Sequence, residues 1–142
     1  GYDLYKAYKA GIAVSPTPEA KWTDLRDGKE YTNRSGRSTK WRGLKYQVGT
    51  RKKSLIANYV YWHYQRDEST VTTGTGEKGA QALNSVDASP VYKMTAAWNE
   101  MVDMICELIE FLLTNEQTYP EFLDHFPFIP RSILKKQNIF GI

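Results

Sequence analysis

Residues 90–115 read PVYKMTAAWNEMVDMICELIEFLLTN, and their spacing predicts one long helix. Met94, Trp98, Met101, Ile105, Leu108 and Leu112 recur three or four positions apart, which places them on one face. Glu100, Asp103, Glu107 and Glu110 fall mostly on the other. Ser89 followed by Pro90 supplies an N-cap and a first-turn proline, whose missing N–H would have no intrahelical partner anyway. No other stretch of the chain has so sustained a period, so the remaining segments are read against this helix.

Upstream, residues 51–66 predict a second helix behind Thr50. Leu55, Ile56, Tyr59, Val60, Trp62 and His63 give it a broad apolar face, expected to be buried on much of its girth. Further back, Thr17 and Pro18 open a helix running to about Asp27, with Trp22 and Leu25 on one side and Gly28 ending it. Leu4, Ala7 and Tyr8 predict a short first helix with Gly11 as its stop. Residues 28–50 and 67–89 read as two long loops, the second with a threonine run able to pair as a short ribbon. Residues 119–123 can add one turn. The tail from 126 to 142 has two X-Pro pairs and no helical stripe.

The expected fold is therefore all-α: a small bundle of three or four helices over residues 1–125, with an extended C-terminal tail at 126–142. The expected core is Trp22, Leu25, Leu55, Tyr59, Trp62, Trp98, Ile105 and Leu108.

With 142 residues the chain suits one domain. Its 41% hydrophobic and 25% charged content argues against wholesale disorder. One cysteine and two histidines, His63 and His125, exclude a disulfide framework and any Cys- or His-rich metal centre. Cys106 reads as a small buried hydrophobe and His63 as a packing histidine. No apolar run reaches the ~18 to 20 residues that span a bilayer. No secretory signal opens the sequence, and it begins at Gly1 rather than Met, so a trimmed or replaced N-terminus and an intracellular setting are expected.

Net charge is +3, but it is divided. Residues 1–66 carry 14 Lys/Arg against 5 Asp/Glu, and residues 67–142 carry 5 against 11. Arg34, Arg37, Lys40, Arg42, Lys45, Arg51, Lys52 and Lys53 run without an intervening acid. Such a split suits a nucleic-acid face, complementary contacts within a subunit or between copies, or two solvated faces. Trp41 and Tyr46 interleave the basic run, as in phosphate contacts with a stacking aromatic. The same run could clamp the acidic long helix of a neighbouring copy, with Arg51, Lys52 and Lys53 opposite Glu107 and Glu110.

Catalytic motifs fail on inspection. Gly74-Thr75-Gly76-Glu77-Lys78-Gly79 lacks the Gly-Lys-Ser/Thr order of a phosphate loop. The acids of the long helix lack the Glu-x-x-His of a di-iron bundle. No cofactor, metal site or nucleophile–base pair is expected, and no enzyme activity.

One series of residues carries a resemblance. Trp22-Thr23-Asp24-Leu25-Arg26-Asp27-Gly28 with Tyr31 is followed by Trp41-Arg42-Gly43-Leu44-Lys45. Next come residues 54–64, SLIANYVYWHY, a Thr/Gly loop at 70–76, and Ala97-Trp98-Asn99. This order resembles the head–tail connector (adaptor) proteins of tailed bacteriophages, in particular those of phages of gut Bacteroidales, crAss-like ones included. It covers roughly Trp22 to Leu113. The chain departs from the pattern at residues 47–53 and in the tail from Phe126.

The resemblance implies a helical structural virion protein that is not an enzyme. Its copies form a ring, commonly twelve-fold, at the portal vertex of the capsid, after synthesis in the host cytoplasm. Its partners would be itself, the portal protein and the next tail or neck ring protein. DNA would pass through the lumen without sequence recognition, and no membrane is involved. Thr70, Thr72 and Thr73 of the loop, and Ile129, Ile133, Leu134, Ile139 and Phe140 of the tail, are the expected assembly contacts. The eight basic residues would face a neighbouring subunit or DNA. The alternative is a small DNA-binding module using Arg34 to Lys53, although no groove-reading signature accompanies it.

Overall fold

The computed structural model describes residues 2–14, 19–68, 70–73, 76–79, 91–122 and 134–138. In chain order it contains α1 (Tyr2–Ile12), α2 (Ala20–Asp27), β1 (Lys29–Thr32), β2 (Ser38–Trp41), β3 (Lys45–Val48), β4 (Arg51–Ser54), α3 (Leu55–Glu68), β5 (Thr70–Thr73), β6 (Gly76–Gly79) and α4 (Val91–Thr114). A turn of 3-10 helix follows at Pro120–Phe122. Among the described residues the strands pair only with their sequence neighbours, as three antiparallel hairpins: β1–β2, β3–β4 and β5–β6.

The expected all-α bundle is thus corrected to a mixed α/β fold. The threonine run does pair as a ribbon, Thr70 opposite Gly79 through Thr73 opposite Gly76. Residues 28–50, expected as a loop, instead hold β1, β2 and β3. Four-residue strands are too short to show a period, and in β3–β4 the face turned to α4 carries Tyr46 and Lys53 rather than aliphatic residues. The turn chemistry is orthodox. Asn33 Oδ1 accepts hydrogen bonds from the Ser35 and Arg37 amides at 3.1 and 2.9 Å and closes the first hairpin.

Because β4 takes residues 51–54, α3 starts at Leu55 and not at Arg51. Its cap is Ser54, whose Oγ accepts from the Ala57 amide at 3.3 Å, rather than Thr50. The N-cap of α2 is Glu19, and Thr17, Pro18, Ser89 and Pro90 lie outside the described residues. Gly28 ends α2 as expected, its amide bonded to the Asp24 carbonyl at 2.9 Å. It has φ +98° and Gly43 has φ +95°. A Cβ on Gly28 would meet the Trp41 carbonyl at 2.5 Å, and one on Gly43 the Arg26 carbonyl at 2.6 Å. The two backbones therefore cross in direct contact, which only glycine allows.

That crossing carries Trp41 into the core. The core joins Trp22, Leu25, Trp41, Phe111, Leu112, Tyr119 and Phe122, with Leu4, Ala7, Tyr8, Ile12, Tyr31 and Leu108 packed around it. Trp41 stacks on Phe111, and its indole N–H donates to the Leu25 carbonyl at 2.9 Å. Tyr119 donates its hydroxyl to the Lys21 carbonyl at 2.7 Å, and burial pushes its pKa upward. Trp22 and Leu25 are buried as expected. Leu55, Trp62, Trp98, Ile105 and Leu108 are only half-buried, and Tyr59 is exposed.

Six of the eight expected core residues belong to α3 and α4, but the main buried cluster lies at the C-terminal half of α4, against α1, α2 and the first hairpin, with Met101, Val102 and Met104 buried at the middle of the helix. Trp41, a stacking aromatic in one of the two readings of the basic run, is the cluster's most enclosed member. Helix α1 ends at Ile12, one residue beyond the expected stop at Gly11, and the Trp22 ring fills the space that a Cβ on Gly11 would take. Cys106 is half-buried. Among the described residues no helix is long and apolar enough to cross a membrane.

Candidate interaction surfaces

The basic run is distributed between two roles. Arg42 is held by Glu107 of α4 through two hydrogen bonds of 2.8 Å, and its guanidinium lies 4.9 Å over the Tyr46 ring. Lys53 bonds both oxygens of Glu100 at 2.8 Å. Tyr46 donates to Glu100 and accepts from Arg42 at 3.0 Å, while Asn58 approaches Glu100 at 3.4 Å. Arg34 donates to the Leu113 carbonyl at 2.9 Å and lies 3.7 Å from Glu116, and Lys45 stands 4.0 Å from Asp27. The second hairpin is thereby bolted to the acidic helix of its own chain. Within the chain Lys53 takes Glu100 and Arg42 takes Glu107, so the expected contact with Glu107 and Glu110 of a neighbouring copy keeps Arg51, Lys52 and Glu110 as its exposed members. Arg37, Lys40, Arg51 and Lys52 are exposed. Lys40 stands opposite Glu30 in the ladder.

Burial would raise the pKa of Glu100, but hydrogen bonds from Lys53, Tyr46 and Asn58 outweigh it and hold the carboxyl below its ordinary range. Burial and the hydrogen bond to Glu100 push Tyr46 up to about 12. A carboxyl whose folded pKa is depressed stabilises the fold above its unfolded value, and the contribution is lost as pH falls through the folded value. Glu100→Gln is therefore expected to lower stability at pH 7 but to flatten its fall between about pH 5 and 3. Urea midpoints across that range measure this, and an unchanged acid slope would remove Glu100 from the pH response.

Two open clefts accompany this network. One of about 690 Å³ is lined by Arg42, Asp103, Cys106, Glu107 and Glu110. Another of about 520 Å³ is lined by residues that include Asp27, Lys45, Lys52 and Lys53. Among the described residues no group of three or more His, Cys, Asp and Glu is placed to hold a metal ion.

The apolar surface is elsewhere. Helix α3 turns Leu55, Asn58, Trp62 and Gln65 toward partial cover, with the Trp62 ring 4.7 Å from Trp98 of α4. Its opposite side presents Ile56 (66% exposed), Tyr59 (48%), Val60 (56%) and Tyr64 (58%). His63 fills the middle of this stripe, its ring 4.3 Å from Tyr59 and 4.8 Å from Trp62. The face read as core is thus the outer surface. Helix α1 also exposes Tyr2 and Tyr5, beside Lys6, which stands 4.4 Å over the Tyr2 ring.

No family model, curated protein or solved structure matches this chain. The surfaces themselves must carry the functional reading.

The motif residues that carry the connector resemblance are largely packing residues: Trp22, Leu25 and Trp41 fill the core, and Gly28 and Gly43 make its crossing. Thr70, Thr72 and Thr73 form β5. Ile129, Ile133, Ile139 and Phe140 lie outside the described residues. Leu134 is half-buried and begins a segment, 134–138, that lies along α4. Sequence reasoning missed Thr95 and Asn99, which hold that segment. It saw the α3 stripe and assigned it to the wrong side. The available signal was that residues 54–65 contain no charged residue at all, so the helix is apolar beyond what one contact with α4 covers.

Proposed function

We propose that this chain is a structural subunit of a head–tail connector ring in a tailed phage, joining the capsid portal to the next ring of the neck and acting by assembly without turnover. The observation that carries this reading is the α3 stripe. A domain whose core is already closed elsewhere leaves four large apolar side chains in a row on one helix, which marks a protein–protein surface. A ring closed by rotation joins two different faces of each subunit. The α3 stripe supplies one, and the outer side of α1 with Tyr2 and Tyr5 is a second apolar face. The DNA-module reading is weaker, because Trp41 and the charges of Arg42 and Lys53 are engaged within the fold. In the ring reading DNA meets the lumen as a passing polyanion, and the location is the virion.

Native mass measurement and electron microscopy of the purified chain test this. A closed ring with an axial channel is expected, whereas a monomer or a two-fold dimer at all concentrations would overturn it. Val60→Glu is expected to abolish assembly while leaving the thermal midpoint of the subunit within a few degrees of the parent. A Val60→Glu variant that forms rings as well as the parent would remove the stripe from the interface.

A further inference from the structure

The second hairpin turns one face to α4 and the other to a cleft. Successive side chains of a strand alternate between faces, so Tyr46 and Lys53 meet α4 while Lys45, Gln47, Lys52 and Ser54 share the reverse side. The register sets Lys45 opposite Ser54 and Gln47 opposite Lys52. All four line the cleft of about 520 Å³, which is bordered also by Asp27 at the end of α2 and Ala57 in the first turn of α3. That volume lies within the range of roughly 300 to 1,000 Å³ typical of small-molecule sites.

What these groups can offer a ligand follows from what they already hold. Lys52 is exposed and has no ion pair among the described residues. Lys45 stands 4.0 Å from Asp27. The Ser54 oxygen accepts from the Ala57 amide, so its own hydrogen is left to donate. Gln47 gives one amide hydrogen to the Gly49 carbonyl and keeps the other. Lys53, at the border of the cleft, is committed to Glu100. The wall is therefore rich in donors: two ammonium groups, a hydroxyl and an amide N–H. Among the described residues of the lining Asp27 alone is acidic. Arg26 clasps it through bonds of 2.8 and 2.6 Å, which hold its carboxyl below the ordinary range and keep it charged.

We propose that this cleft is a binding site for a sugar phosphate, with the phosphate on Lys45, Lys52 and Ser54 and a diol of the sugar on Asp27. A phosphomonoester concentrates close to two negative charges on one group near neutral pH, matching two ammonium groups on one face of the hairpin. Charge-assisted hydrogen bonds to its oxygens are the strong kind. A carboxylate beside the cations suits vicinal hydroxyls, which donate to it. The same carboxylate disfavours a nucleic-acid backbone, which would bring its next phosphate toward Asp27. The site uses none of the side chains of the α3 stripe or of the outer α1 face, so it stands or falls independently of the connector reading.

Equilibrium dialysis of the full chain against radiolabelled adenosine 5′-monophosphate in low-salt buffer tests this. The competitors are adenosine, inorganic phosphate and a DNA duplex that ends in 5′-hydroxyls. One saturable site per chain is expected, displaced by inorganic phosphate and not by adenosine. Absence of saturable binding, or displacement by adenosine as effective as by the unlabelled nucleotide, would overturn the site. A duplex that competes as well, counted per phosphate, would assign the cleft to a nucleic-acid backbone and overturn the sugar phosphate. Lys52→Ala is expected to weaken nucleotide binding about tenfold or more, with an unchanged thermal midpoint. Arg37→Ala, on the first hairpin, is the control and is expected to bind as the parent does. Equal losses in the two variants would reduce the binding to general attraction by surface charge. Asp27→Asn is expected to weaken the nucleotide but not inorganic phosphate, and equal effects on both would overturn the placement of the sugar.

Discussion

Trp41→Ala is expected to lower the stability of the fold by about 3 to 5 kcal/mol. The side chain is fully enclosed, stacks on Phe111 and spends its only polar hydrogen on the Leu25 carbonyl. Truncation leaves a cavity at the meeting point of α2, the first hairpin and α4, and those elements cannot close it, because Gly28 and Gly43 already hold their backbones in contact. A domain with a typical total of about 5 to 15 kcal/mol would lose a large part of it. Urea unfolding measures the change. Trp98→Ala is the control: that ring is half-buried and outside the core cluster, so its loss is expected to cost clearly less. Equal effects at the two tryptophans would move the core back toward the α3–α4 contact.

Gly11→Ala reverses the usual sign of its substitution. Within a helix, alanine ordinarily stabilises relative to glycine by roughly 1 kcal/mol. Here a Cβ would lie 1.8 Å from the Trp22 indole nitrogen and 2.0 Å from the neighbouring ring carbon. The ring cannot swing aside, since Tyr8 and Tyr119 meet it edge-on at 6.0 and 6.1 Å. Overpacking of this kind costs about 1 to 3 kcal/mol and sometimes more. A net loss near ~3 kcal/mol is expected, because a rigid indole meets the new methyl head-on. Trp22→Leu in the same chain should shrink the penalty of the alanine, and the pair makes a double-mutant cycle. A gain in stability from Gly11→Ala would show that α1 does not lie on Trp22.

How much could be read in advance varies with the kind of signal. Helix α4 was legible because 24 residues repeat a 3–4 spacing, and α2 because Gly28 marks its end. Helices α1 and α3 were legible as elements but not in their packing. Gly11 looks like a stop by residue type, and only the neighbouring Trp22 shows why a side chain is excluded there. The hairpins β1–β2 and β3–β4 were missed because their strands are four residues long and their buried faces are partly ionic. The candidate surfaces divide in the same way. The acidic and basic runs were visible as charge, while the pairing of Arg42 with Glu107 and Lys53 with Glu100 was not, since the partners are 65 and 47 residues apart.

By itself the sequence determined the main helices and the charge division, because these depend on local spacing and composition. The tertiary structure alone decided which apolar face is core. Periodicity shows that α3 has an apolar stripe but carries no information about what covers it. That depends on Trp41 and Phe111, brought together by the crossing at Gly28 and Gly43, which fills the interior from the other end of α4. With the core closed there, Ile56, Tyr59, Val60 and Tyr64 are left on the surface.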